Sequence, residues 1–261
     1  MKRYQTIVFF DMDGTLLDEH SKTTDEILGI LEELRHRQVL PVVATGRAPW
    51  EIDEIMAGSG IDSYVSLNGQ YVICEGQVIY EHKIPESTIA ELLLLAEEKG
   101  QHLGFYSSYN SAVSGVDQTV ESLFAMDHLT VPPVDKQFFR EYPVYLMGLF
   151  SEAGIDVYQE QFAGRLSFVR DSPYSYAVTP WQASKKTGIE VFLNHTGRTG
   201  VHTYAFGDGN NDLEMFDAVD VSIAMGNAVA ALKEKADYVT ASNTEHGIGQ
   251  GLRHYHLLSD D

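Results

Sequence analysis

The chain is predicted to be an α/β protein: a doubly wound parallel sheet, interrupted once by an inserted α+β domain. Three observations carry this. From Thr6 to Gly69, short runs of β-favouring apolar residues alternate with segments of helical periodicity, the pattern of strand–helix–strand units. Between about Lys83 and Gln182 that rhythm gives way to hairpin-linked strands with helices among them, and at Ser184 it returns. The strands of the two outer parts are apolar almost throughout, as strands covered on both faces are.

The elements follow in order. "TIVFF", Thr6 to Phe10, is a buried strand. "TTDEILGILEELRHRQ" sets Ile27, Ile30, Leu31 and Leu34 at i, i+3, i+4 and i+7, a helix with one buried face opened by a Thr or Asp cap. "VLPVVATGR" is an apolar run ending in a Thr-Gly turn, "PWEIDEIMAGSG" a helix and "YVSLNG" a short strand. In the insertion, "PESTIAELLLLAEEKG" is a helix, "HLGFYSS" and "SAVSG" are paired strands, and "VDQTVESLFAMD" is a second helix. "YPVYLMGLF" then gives a strand, "EAGIDVYQEQFAG" a helix, and "RLSFVRDS" with "YSYAVTP" a closing strand pair. After it, "SKKTGIEVFLNHTG" is a helix and "VHTYAFGDGNND" a strand entering a Gly-rich turn. "LEMFDAV" (helix), "DVSIAMGNA" (strand and turn), "AVAALKEKA" (helix) and "YVT" (strand) complete the series. Residues 1–82 and 183–261 thus form one domain and residues 83–182 the inserted one, with hinges near Lys83 to Pro85 and Pro180 to Ala183.

Composition narrows the function. With 44% hydrophobic residues and 11% aromatics, the 261-residue chain can bury a real core in one or two domains. A formal charge of −20 argues against nucleic acid, whose phosphates call for Lys and Arg. Cys74, the single cysteine, excludes an internal disulfide framework and suits a reducing compartment. The apolar run of "MKRYQTIVFFD" is cut short by Asp11, too soon for a signal-peptide core, and no stretch approaches a membrane span. The expectation is a soluble cytoplasmic protein of open oligomeric state.

Doubly wound sheets bind ligands beyond the carboxyl ends of their strands. Four strand ends carry unusual residues: Asp11 and Asp13; Thr45, Gly46 and Arg47; Asn68 and Gly69; and "GDGNND", Gly207 to Asp212. Lys185 opens the first helix after the insertion. Singly, each has a plain structural explanation as a turn, a helix cap or a solvated helix end. Together, several carboxylates at one sheet edge repel unless a cation lies among them, and hard oxygen donors select Mg²⁺. A Thr hydroxyl, free N–H groups at Gly-containing turns and a Lys suit a phosphate. The combination points to Mg²⁺-assisted phosphoryl transfer. The histidines lack metal-ligand spacing with carboxylates, Cys74 has no paired His, and "GDGNND" does not fit a dinucleotide fingerprint.

"DMDGTLLD", "ATGR", "SKKTG" and "GDGNNDLEM" resemble, in the right order, the four motifs of the haloacid dehalogenase superfamily. The placement of the insertion, and the "NG" of "SLNGQYV", resemble its Cof-like phosphatases, which carry a C2B-type cap on a Rossmann-like core. The resemblance implies that Asp11 is a nucleophile forming an aspartyl-phosphate and that Asp13 is the general acid and base. Their i, i+2 spacing would point both to one side of an extended chain. It further implies that Asp208, Asp11 and the Asp13 carbonyl hold Mg²⁺, with Asp212 acting directly or through water. Gly14, Thr45, Gly46, Lys185 and Asn211 would contact phosphate or substrate. Arg47 would either reach the leaving group or cover the sheet edge. The cap would close over the site and select a small phosphate ester; its tyrosines and Trp181 are as readily cap core as sugar platform. A phosphomutase and a phosphate-binding protein without turnover are the rival readings.

Overall fold

In a computed structural model, the described residues are 4–126, 129–197 and 200–259. They divide into two compact units: residues 1–47, 51–80 and 184–261, and residues 81–183 together with 48–50.

The first unit is built on an eight-stranded sheet of β1 (Thr6–Phe10), β2 (Val39–Ala44), β3 (Tyr64–Ser66), β4 (Tyr71–Cys74), β5 (Gln77–Glu81), β11 (His202–Gly207), β12 (Val221–Ala224) and β13 (Tyr238–Val239). The order is β13-β12-β11-β1-β2-β3-β4-β5. All pairings from β13 to β3 are parallel, and β4 runs antiparallel to β3. β1 is central, and Ile7 to Phe10 are fully buried, which is why this strand reads as an unbroken apolar run. The helices of this unit are α1 (Asp25–His36), α7 (Lys185–His195), α8 (Leu213–Phe216), α9 (Ala230–Lys235) and α10 (Gly247–His254), together with α2 (Pro49–Ile55) from residue 51 onward. Thr24 caps α1 by accepting the Ile27 N–H at 3.3 Å. Ile30, Leu31 and Leu34 form its buried face.

Register places the site. Phe10 of β1 lies opposite Val43 of β2 and Phe206 of β11. The three parallel strands therefore end within two residues of level, and Asp11, Thr45 and Asp208 leave the same edge. Parallel pairing is what converts distant sequence positions into neighbours.

The second unit has a five-stranded antiparallel sheet, ordered β7-β6-β8-β10-β9. Its strands are β6 (His102–Tyr106), β7 (Ser111–Val113), β8 (Leu146–Phe150), β9 (Leu166–Ser172) and β10 (Ser175–Pro180). Helices α3 (Glu86–Glu98), α4 (Gln118–Met126), α5 (Phe138–Glu141) and α6 (Asp156–Gln161) accompany it. Leu92, Leu93 and Ala96 of α3 pack with Leu103, Phe105, Met147 and Leu149 in its main core. Tyr176 is buried in that core, Tyr174 packs on a smaller cluster, and Tyr109 and Trp181 are exposed. The expected helix "VDQTVESLFAMD" runs one residue beyond α4 to Asp127, which lies outside the described residues. "YPVYLMGLF" is strand only from Leu146, although the Tyr145 N–H already donates to Tyr106 O at 3.0 Å.

The start of α7 is pressed onto the turn between β3 and β4. A Cβ on Gly188 would sit 2.5 Å from Val65 Cγ1 and 2.7 Å from Gly69 Cα. Gly188→Ala is therefore expected to lower stability by about 1–3 kcal/mol through overpacking, although Ala is the better helix former by about 1 kcal/mol. Urea unfolding followed by circular dichroism measures the balance, and a gain in stability would contradict the close packing.

Candidate active site

The Asp11 N–H donates to Phe206 O at 3.0 Å, so the ladder of β1 continues into the first acid. The chain then turns through Met12–Leu16, closed by the Leu17 N–H on Met12 O at 2.9 Å. Gly14 has φ 74°, and a Cβ there would lie 2.3 Å from Asp208 Oδ2. Only glycine combines that backbone with that approach. Thr15 Oγ1 donates to Asp208 Oδ1 at 3.1 Å, tying the first loop to the one after β11.

Lys185 joins these loops. The first residue of α7 is buried, and its Nζ donates to Asp11 Oδ1 at 2.5 Å and to Asp212 Oδ1 at 2.6 Å. The other oxygen of Asp212 accepts the N–H groups of Asp208 and Gly209, each at 2.9 Å. Asp212 thus shapes its own loop while anchoring the ammonium. Asn227, in the turn after β12, donates Nδ2 to Gly14 O at 2.8 Å and to Asp208 Oδ2 at 3.4 Å. It is absent from the expected set, although "AMGNA" has the same strand-then-polar-turn pattern that marked the other loops.

Asp11 and Asp13 have different surroundings despite their spacing. Asp11 is buried, whereas the Asp13 side chain is 52% exposed. Arg47 grips Asp13 with both arms of its fork, Nε to Oδ2 at 2.7 Å and one terminal nitrogen to Oδ1 at 2.6 Å. Arg47 is thus fixed on Asp13. Thr45, buried, accepts the Arg47 N–H at 3.2 Å on its hydroxyl. Asn211 Nδ2 meets Asn68 Oδ1 at 3.4 Å, and Gly46 lies beside the same Asn68 amide. Asp11, Lys185, Asp208 and Asp212 therefore form one cluster, Asp13 and Arg47 a pair, and Gly46, Asn68 and Asn211 a polar group.

The cluster is short of positive charge. Burial pushes the Asp11 carboxyl well above its ordinary range; Lys185 opposes this, while Asp212, Asp208 and Asp13 reinforce it. Asp208 is pushed up to about 6, by burial and then by Asp212. Burial works against the Lys185 charge, but Asp11 and Asp212 outweigh it and hold the ammonium above its ordinary pKa. Asp11, Asp208 and Asp212 each offer an oxygen within 4.8 Å of the others. Three carboxylates around one ammonium, all hard oxygen donors, fit a divalent cation such as Mg²⁺. The Asp13 side chain, turned to Arg47, is not in that trio. Among the described residues no helix is long and apolar enough to cross a membrane.

The model of the haloacid dehalogenase-like hydrolases matches residues 8–252. YkrA of Bacillus subtilis is 34% identical over 97% of this chain and 98% of its own. The 5-amino-6-(5-phospho-D-ribitylamino)uracil phosphatase YcsE of the same organism is 23% identical over 96% of both chains. Among solved structures, the subclass IIB sugar phosphatase BT4131 superposes with a TM-score of 0.84 at 28% identity, covering 97% of this chain and 100% of that one. The chain belongs to the haloacid dehalogenase-like hydrolases, as one of their Cof-like phosphatases.

Proposed function

We propose that the protein is a Mg²⁺-dependent phosphatase that hydrolyses small phosphorylated metabolites, sugar phosphates or related compounds, through an aspartyl-phosphate. The observation that carries this is Asp11: a buried carboxylate at the end of the central strand, held on one oxygen by Lys185 and bordered by two further acids. An Asp11 oxygen attacks phosphorus, and the bond from phosphorus to the ester oxygen breaks. Asp13 gives a proton to the departing alkoxide and then takes one from water. That water attacks the same phosphorus, releasing inorganic phosphate and restoring Asp11. Lys185 keeps Asp11 aligned and offsets the charge of the transferring group, and the Arg47 fork sets the orientation of Asp13. Thr45, Gly14, Gly46 and Asn211 bind phosphoryl or substrate oxygens.

Asp11, Asp208 and the Asp13 carbonyl are the residues that would hold the cation, with Asp212, which accepts from Lys185 and from the Asp208 and Gly209 N–H groups, acting directly or through water. Bound there, the ion supplies positive charge against which an anionic carboxylate attacks an anionic ester. Two relatives support the substrate class: YcsE is named for a phosphoribityl compound and BT4131 as a sugar phosphatase. We assign the choice among such esters to the inserted domain, residues 83–182.

Wild-type protein is expected to release phosphate from an aryl phosphate with Mg²⁺ and to stop in EDTA, and Asp11→Asn to lose roughly 10³-fold or more. Undiminished turnover in the variant or in chelator would overturn the mechanism.

The raised pKa of Asp208 gives a second test. Without metal, the folded state takes up a proton on Asp208 more readily than the unfolded chain, so its share of stability grows as the pH falls through about 6. Metal binding needs the carboxylate and weakens over the same range. The difference between Tm in Mg²⁺ and Tm in EDTA should therefore shrink as the pH falls from roughly 7.5 to 5.5. A difference that grows would refute the assignment.

A further inference from the structure

Leu67, Asn68 and Gly69 have φ values of 51°, 52° and 91°, three left-handed residues in succession. They belong to the connection between β3 and β4, where Ser66 pairs with Tyr71 across the ladder. Four residues, Leu67 to Gln70, make this connection, so it is not the two-residue hairpin loop in which Asn-Gly takes positive φ at both positions. Asn and Gly adopt that region readily, whereas a bulky leucine is an outlier there. Something beyond chain reversal holds the turn in this form.

The bonds show what the form achieves. The Leu67 and Asn68 N–H groups point away from the hairpin, donating to Arg47 O at 3.1 Å and Thr45 O at 3.0 Å. Gln70, fully buried, donates Nε2 to Asn68 O at 3.0 Å. A Cβ on Gly69 would come within 2.1 Å of Ser184 O, so this turn also abuts the start of the helix that bears Lys185. The Asn68 backbone is fixed at both its N–H and its carbonyl. Its side chain is half-buried and lies over Gly46, where an added Cβ would be 3.4 Å from Oδ1 and 3.6 Å from Nδ2. Oδ1 takes the Asn211 donor. Nδ2 is the end of the amide left to donate.

We propose that Asn68 is a phosphoryl-binding residue: its Nδ2 donates to a non-bridging oxygen of the substrate phosphate, beside Gly46 and Asn211. The strained turn exists to deliver that amide, since backbone strain persists where the surroundings over-determine a functional position. The inference rests on the phosphatase reading and adds to it a neutral donor that nothing in the charge pattern reveals.

Two substitutions separate the amide from the backbone. Asn68→Gly tolerates the left-handed conformation and removes the side chain. Asn68→Asp keeps the shape and much of the left-handed preference but replaces the donor with an anion. Calorimetry with Mg²⁺ measures the Kd for inorganic phosphate and for orthovanadate, beside kcat and KM for an aryl phosphate and Tm. A hydrogen bond to a charged group corresponds to about 10-fold to 100-fold in Kd. Asn68→Gly should weaken both anions by about 10-fold and Asn68→Asp by about 100-fold, with Tm close to wild type. Wild-type affinities in either folded variant would overturn the proposal while leaving the phosphatase reading intact. A wild-type protein that neither binds these anions nor cleaves the ester would overturn both. Loss of folding in Asn68→Asp leaves Asn68→Gly to decide.

Discussion

Everything at this sheet edge depends on one buried ammonium. Lys185 is bonded to Asp11 and Asp212 at once, where no solvent screens either contact. Removing such a charge from water is costly, and it persists only because two carboxylates surround it. Those carboxylates in turn tolerate burial only beside it. The mutual requirement explains why α7 begins where it does: a residue earlier or later in the helix would swing the side chain by about 100° away from the acids.

Around that ion pair the scaffold is rigid for reasons of backbone rather than charge. Asp11 remains in the parallel ladder through Phe206, and the 207–212 loop is held by Asp212 accepting two of its own N–H groups. The turn after β3 bonds to the Thr45–Arg47 turn and presses against α7. The candidate side chains therefore stand on strand ends, a helix start and turns fixed by backbone hydrogen bonds, the preorganisation on which electrostatic catalysis relies.

The alternation of strand and helix was legible because buried parallel strands leave unbroken apolar runs, as Ile7 to Phe10 do. The cluster of Asp11, Lys185, Asp208 and Asp212 was legible because acids at strand ends conflict with strand chemistry and demand a compensating partner. Other features depend on contacts that no local pattern announces. Residues after Thr240 gave no element, yet Gly247–His254 is a helix. Its three glycines are poor helix formers, and Gly251 is there for closeness: a Cβ would lie 2.6 Å from Phe206 Cε1. The i, i+2 spacing suggested a shared environment for Asp11 and Asp13, but tertiary partners divided them, one to Lys185 and the other to Arg47. Asn227 escaped notice because a Gly-Asn turn after a strand is ordinary until its partner is known.

The strand order has a consequence for synthesis. β1 takes β2 on one side and β11 on the other, yet β11 follows the whole of residues 81–183 in the chain. During translation β1 can pair at once with β2, while its opposite edge waits for the 157 residues between Ala44 and His202. An apolar strand with one unpaired edge is a template for mispairing. The same interval keeps Asp11 apart from Lys185, so the acids of the first loop meet their counter-charge only as the last part of the chain emerges. A nascent protein of this topology depends on the intervening residues folding promptly by themselves, and their antiparallel sheet, which includes two hairpins of sequence-adjacent strands, β6–β7 and β9–β10, is suited to that.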